Sequence, residues 1–284
     1  MTDTKIYVGC TGFNYDDWMA NKGGFYPPNI EKFELLGFYS TVFPTCEINS
    51  TFYAFPRSTS TSRWAKLLPV DFVLTAKLPK MICQAPDISL VEDKLTDFLK
   101  VMSPLKKNLG PFVCQFAPNF DKREESLSQL LKFLGFFPFG DYDMVMEFRH
   151  DTWFNQETYD ILNDHNLGMV SSFLPYIKFN LYEDVKRDYF YMRLIGSHKQ
   201  EIGDGKEVVD RTSLMKETAD TMEKAFKNNP NKKSAYVFIN NHFSGYAPPA
   251  ASKFKEMLEK RRLQTVTPAI TSFKGQQKLS DFFG

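Results

Sequence analysis

The chain has 284 residues, 43% hydrophobic and 24% charged, with a formal net charge of +1; it can bury a sizeable core and lacks the overall basic footprint of a protein that coats nucleic acid or acidic membrane. No apolar run approaches the ~20 residues of a membrane span, and the opening Met1-Thr-Asp-Thr-Lys5 lacks signal-peptide anatomy, which predicts a soluble, cytoplasmic protein with no membrane partner. The cysteines, Cys10, Cys46, Cys83 and Cys114, show no C-x-x-C spacing, which speaks against a zinc ribbon or a disulfide framework.

In chain order, β-rich runs at 5–10, 45–49, 72–77, 112–116, 144–149, 168–172, 189–194 and 235–240 alternate with helical patterns at 30–42, 58–67, 90–102, 124–136, 156–165, 213–227 and 249–260. Eight strands with intervening crossovers predict an α/β TIM (β/α)8-type barrel over residues 1–260, followed by a flexible tail over 261–284. The longest irregular stretches, 11–29 and 174–188, follow the first and sixth strands. In such a barrel the loops after strands form the catalytic face.

Strand residues alternate in direction, so one parity of each strand faces the lumen. The last lumen-facing positions are Glu47 and Asn49 on the second strand, Thr75 and Lys77 on the third, Gln115 on the fourth, Glu147 and Arg149 on the fifth, Arg193 on the seventh and Asn240 on the eighth. Buried charge is costly without partners, so this convergence marks either a site or an ion-paired plug such as Glu147 with Arg193. The catalytic candidates are Glu47, Lys77, Glu147, Arg149, His150 and Arg193, and the substrate-binding candidates are Trp18, Asn49, Tyr53, Gln115, Asn240, Asn241 and His242. Glu47 and Glu147 could hold one Mg²⁺ or Mn²⁺, or divide the roles of acid and base. Lys77, Arg149 and Arg193 suit an anionic ligand, or else neutralise the two carboxylates. Aromatics after strand ends could stack on sugars or unpaired bases, or pack the loops together.

The runs Val8-Gly-Cys-Thr-Gly-Phe-Asn-Tyr-Asp-Asp-Trp18, Glu47-Ile-Asn-Ser-Thr-Phe-Tyr53 with Pro56, Ala76-Lys-Leu-Pro79, Glu147-Phe-Arg-His150 with Trp153, Tyr191-Met-Arg-Leu194 and Asn240-Asn-His242 are similar, in this order, to the motifs of the YecE-like family, domain of unknown function seventy-two. The resemblance implies a TIM barrel with these motifs at its strand ends, and no settled reaction.

The terminal Lys274-Gly-Gln-Gln-Lys-Leu-Ser-Asp-Phe-Phe-Gly284 carries Gln276, Leu279, Phe282 and Phe283 as Q-x-x-L-x-x-F-F. On one helical turn the Leu and both Phe side chains project from one side, a face that such a turn cannot bury by itself. The peptide resembles the PIP box, through which replication and repair proteins bind the sliding clamp PCNA. The resemblance implies docking by residues 276–283. Because PCNA belongs to archaea and eukaryotes and the barrel family is largely prokaryotic, it also implies an archaeal source. The expected function is a clamp-tethered enzyme of DNA repair or replication acting on phosphodiesters, a nuclease. The alternatives are an enzyme of phosphorylated sugars and a noncatalytic clamp adapter.

Overall fold

The computed structural model describes residues 4–22, 24–197, 199 and 202–269. Parallel strands β1 (Lys5–Thr11), β2 (Thr45–Ile48), β3 (Val73–Lys77), β4 (Leu109–Gln115), β5 (Met144–Glu147), β6 (Gly168–Phe173), β7 (Tyr189–Leu194) and β8 (Ser234–Ile239) form a closed barrel in sequence order. β1 and β8 close it, in register from Lys5 opposite Ser234 to Cys10 opposite Ile239. The barrel expectation holds, and every predicted strand is present with ends displaced by a few residues at most.

The helices are α1 (Leu35–Val42), α2 (Ser58–Leu67), α3 (Lys80–Cys83), α4 (Glu92–Met102), α5 (Glu124–Phe136), α6 (Gln156–Asp164), α7 (Thr212–Asn228), α8 (Asn241–Ser244) and α9 (Ala247–Glu259). α5 shows how local chemistry sets such an element. Glu124 and Glu125 complement the dipole in its first turn, while Leu130, Phe133 and Leu134 form the buried stripe. Pro138 lies just beyond, where the residue before a proline leaves the helical region. α6 starts at an Asn155 cap, whose Oδ1 accepts from the Thr158 amide at 3.1 Å. The expected helix over 30–42 begins only at Leu35, and residues 174–188 link β6 to β7 without a helix.

Alternation sorts the apolar side chains into two layers. Val113, Val145, Val170, Tyr189, Tyr191 and Phe238 fill the lumen, and a larger cluster that includes Val8, Ile48, Leu74, Phe148 and Val237 lies between strands and helices. The lumen is therefore closed from below by valines and aromatic rings. The glutamates and Arg193 occupy its upper end, while Asp143, bonded by Arg187 and Tyr189, lies at the opposite end.

Two details of β1 shape the rest. Its pairing with β2 covers only Cys10 and Thr11, which leaves the first half of that edge open. The segment after α9 fills it: Ile6 donates its amide to the Gln264 carbonyl at 2.9 Å, and Val266 donates to the Ile6 carbonyl at 2.8 Å. The expected tether thus starts too early at 261, because residues 264–266 are held against the barrel by an unpaired strand edge. The docking residues Gln276, Leu279, Phe282 and Phe283 lie outside the described residues.

Gly9 is where β1 passes closest to β2. A Cβ built there would stand 2.0 Å from the Thr45 carbonyl oxygen, which belongs to a paired strand and cannot retreat cheaply. Gly9→Ala should therefore lower the free energy of unfolding by about 1–3 kcal/mol in urea titrations, as overpacking does. In contrast, Gly135→Ala, on a helical position with nothing within 4 Å of the added carbon, should be neutral or slightly stabilising.

Candidate functional site

The C-terminal ends of β2, β3, β4, β5, β6 and β7 deliver one connected polar cluster into the upper lumen. Its centre is Arg193, on β7. Its Nε and Nη2 donate to Glu47 Oε1 at 3.0 and 2.8 Å, and its Nη1 donates to Glu147 Oε2 at 2.6 Å. Weaker bonds run from Nη2 to Asn49 Oδ1 at 3.3 Å and from Nη1 to Gln115 Oε1 at 3.4 Å. One guanidinium thus spans two carboxylates from different strands. Both glutamates are fully buried and Arg193 is nearly so.

Each carboxylate has further donors. Tyr191 donates to Glu47 Oε2 at 2.8 Å, and its oxygen lies 2.9 Å from Thr75 Oγ1. Glu147 Oε1 accepts from Arg149 Nη2 at 2.8 Å and from the Ser172 hydroxyl. Burial alone would push the Glu147 carboxyl up, but Arg149, Arg193, Lys77 and the Ser172 bond outweigh it and hold the pKa down at about 2. Burial acts against the Arg193 charge as well, and Glu147 and Glu47 more than reverse it. Glu147 is therefore a fixed anion at neutral pH and cannot serve as a general acid.

Gln115 carries a different load. Its Oε1 accepts from Lys77 Nζ at 2.9 Å, Arg149 Nη2 at 2.9 Å and Arg193 Nη1 at 3.4 Å, so three cationic side chains share one neutral amide oxygen with two lone pairs. Arg149 also donates from Nη1 to the Tyr176 hydroxyl at 2.9 Å, while its Nε is a buried donor without a hydrogen-bond partner. Lys77 Nζ stands 3.9 Å from the centroid of the Phe52 ring. Burial first and then Arg193 lower the Lys77 pKa to about 8, with Arg149 acting in the same direction and Glu147 and Glu47 opposing it.

Of the predicted site residues, Glu47, Asn49, Lys77, Gln115, Glu147, Arg149 and Arg193 come together. His150, Trp18, Tyr53, Asn240 and Asn241 do not join them, and His242 lies half-buried on the short helix α8 after β8. His150 bonds only to near neighbours, with Nδ1 2.9 Å from Thr152 Oγ1 and 3.2 Å from the Asp151 carboxylate. Asn241 pins the loop after β1 to the start of α9: its Oδ1 accepts from Trp18 Nε1 at 2.9 Å and from the Ala247 amide at 3.0 Å, and its Nδ2 faces the Asp17 carboxylate. Trp18 is fully buried among Tyr15, Phe25, Tyr26 and Tyr39, and so is a packing residue rather than a stacking platform. Asn240 bonds Thr11 and the backbone amide of His242, which makes it a brace between β1 and the turn after β8. Tyr53 alone of the predicted aromatics is open, 83% exposed, and it lines a cleft of about 790 Å³ with Phe52, Phe55, Pro79, Met81 and Lys94.

Glu47 and Glu147 do not fit a divalent ion in this arrangement. The Arg193 guanidinium holds both carboxylates, where a metal ion would have to sit between them. Among the described residues no three His, Cys, Asp or Glu side chains gather as a ligand set. Sequence reasoning left Tyr191, Ser172 and Tyr176 out of the site. Tyr191 and Ser172 share the lumen-facing parity of Arg193, so the alternation rule could have found them. Tyr176 sits in an irregular loop, and no local signal announces its bond to Arg149.

A closed barrel of eight parallel strands with an ionised cluster at the C-terminal strand ends defines a TIM-barrel protein. Within that class the chain belongs to the family described as "Protein of unknown function DUF72", whose model matches residues 7–272. It is 33% identical over 149 residues to the UPF0759 protein YecE of Escherichia coli (strain K12), covering 52% of this chain and 50% of that one. It is 28% identical over 161 residues to the UPF0759 protein YunF of Bacillus subtilis (strain 168), covering 55% and 54%. The chain thus spans about half the length of the curated relatives it matches. A crystal structure of a DUF72 family protein from Thermotoga maritima superposes with a TM-score of 0.73 at 27% identity, covering 90% of this chain and 99% of that one. A DUF72 family protein from Enterococcus faecalis, at 20% identity and a TM-score of 0.67 over 91% of this chain and 99% of that one, shares the fold.

The shifted groups set the pH dependence of stability. The unfolded chain binds more protons than the folded one between pH 2 and 4.5 at Glu147, and between pH 8 and 10.5 at Lys77. Stability should fall by about 3 kcal/mol as pH drops from 4.5 toward 2, and recover by a similar amount as pH rises from 8 toward 10.5. Glu147→Gln should flatten the acid limb, and Lys77→Met should roughly halve the alkaline one, because burial also lowers the Lys232 pKa to about 8. Urea midpoints across the pH range would check both.

Proposed function

We propose that the barrel mouth binds the phosphate of an anionic substrate and that the chain is an enzyme acting on it. The convergence of Lys77, Arg149 and Arg193 on Gln115 Oε1 supports this reading above all else. Three cations against two carboxylates leave one positive charge in a buried cluster, and a plug selected for stability alone would be expected to balance. A phosphate oxygen beside Gln115 would relieve the crowding and could take the unpartnered Arg149 Nε donor. Glu47 and Glu147 then act by holding Arg193 in place. The cleft beside Phe52 and Tyr53 offers room for the remainder of the substrate.

A second reading concerns the pathway, and the pattern Gln276, Leu279, Phe282 and Phe283 favours it. These residues would dock into PCNA and tether the barrel to DNA, making the chain a DNA repair or replication enzyme acting on phosphodiesters; a clamp of this kind also suggests an archaeal source. Tethering raises local substrate concentration, which suits a barrel with a net charge of only +1. If the clamp is not a partner, the same mouth suits a phosphorylated sugar.

Two measurements test these readings. Arg149→Met should weaken binding of inorganic phosphate at least tenfold by calorimetry while leaving the Arg193 bridge to Glu47 intact; unchanged binding would remove the anion site. A peptide covering residues 274–284 should bind PCNA by itself, and replacing both Phe282 and Phe283 by Ala should cost on the order of 2 kcal/mol or more per ring. Undiminished affinity after the double substitution would end the clamp reading.

A further inference from the structure

We propose that Lys77 Nζ acts as a nucleophile, forming a Schiff base with the carbonyl carbon of a phosphate-bearing sugar held at the barrel mouth. The inference rests on the anion-site reading and goes beyond it by naming a covalent step and the functional group that the substrate must carry.

The geometry separates Lys77 from the other cations. Arg193 bridges Glu47 and Glu147, and Arg149 pairs with Glu147. Lys77 instead donates to the neutral amide oxygen of Gln115 and lies over the Phe52 ring. It forms no ion pair among the described residues, although it is only 7% exposed. An ammonium intended as a permanent charge would gain more from a carboxylate, and two stand in the same cluster already committed to arginine. The groups that act on it are Glu47 from β2, Glu147 from β5, Arg149 just after β5, and Arg193 from β7. Burial and Arg193 dominate, so a sizeable fraction of the amine is unprotonated near pH 8.

The step balances without a co-reactant. The neutral amine attacks the carbonyl carbon, a C–N bond forms, and the oxygen takes up the two protons lost from nitrogen and leaves as water. Arg149 would hold the substrate phosphate, so that binding places the carbonyl rather than simply retaining the molecule. A sugar with both groups occurs as a free phosphorylated aldose or as the ring-opened abasic site of a DNA strand. The two sources share the chemistry that Lys77 would use.

The full-length protein would be incubated near pH 8 with glycolaldehyde phosphate, and separately with a single-stranded oligonucleotide bearing one abasic site, each with sodium cyanoborohydride. Peptide mass mapping would locate any reduced adduct. The expected result is an adduct on Lys77 in at least one arm, suppressed by excess inorganic phosphate and absent in Lys77→Met, with the reacting arm naming the source. Mapping on the unaltered protein keeps the test valid if Lys77→Met fails to fold. Phosphate binding without any Lys77 adduct in either arm would overturn the covalent role and leave the anion site standing. Loss of phosphate binding itself would remove both.

Discussion

The Arg193 guanidinium between Glu47 and Glu147 is the interaction on which the rest of the mouth depends. Taking three charges out of water costs several kcal/mol per ion, and mutual attraction offsets this only where donors and acceptors are matched in direction. Here the fork of Arg193 reaches Glu47 on β2 and Glu147 on β5, while Tyr191, Ser172 and Arg149 take up further acceptor sites. A carboxylate removed from this set would leave a guanidinium buried without its partner. The arrangement thus fixes the relative positions of strands that are not neighbours in the barrel.

Fixing those carboxylates decides what remains available above them. Both glutamates are occupied by arginine, so neither is free to coordinate a metal ion. The cationic surplus is left facing Gln115, with Lys77 as the member that lacks a carboxylate of its own. The wall below is equally decisive: Tyr189, Tyr191, Phe238 and the valines of β4, β5 and β6 fill the lumen beneath the charges, so the charged cluster faces the strand C-terminal side. Tyr15, Phe25 and Tyr26 of the long loop after β1 pack on Trp18 and serve as scaffold. Aromatic surface at this end is left open instead by Tyr53, after β2, and Tyr176, after β6.

The barrel was legible in the sequence because strand and helix periodicities are local, and eight alternations leave few ways to close a sheet. The lumen positions Glu47, Lys77, Gln115, Glu147, Arg149 and Arg193 were legible for the same reason, since alternation along a strand is a property of consecutive residues. Local pattern failed where the partner decides the role. Trp18, Asn240 and Asn241 follow or precede strands as site residues would, yet Asn241 bonds Trp18 across 223 residues and Asn240 bonds Thr11 across 229. The segment at 264–266 carries no strand signal of its own and is held only because β2 leaves an edge of β1 open.

What the sequence by itself determined was therefore the barrel, its facing parity and the inventory of charges at its upper end. The tertiary structure alone decided how those charges divide: which cation both glutamates share, which amide oxygen is crowded, and which amine is left without a carboxylate. The reason is physical. Parity depends on backbone geometry between adjacent residues, whereas the division of charge depends on distances of a few ångströms between strands far apart in the chain, and those distances exist only once the barrel has closed.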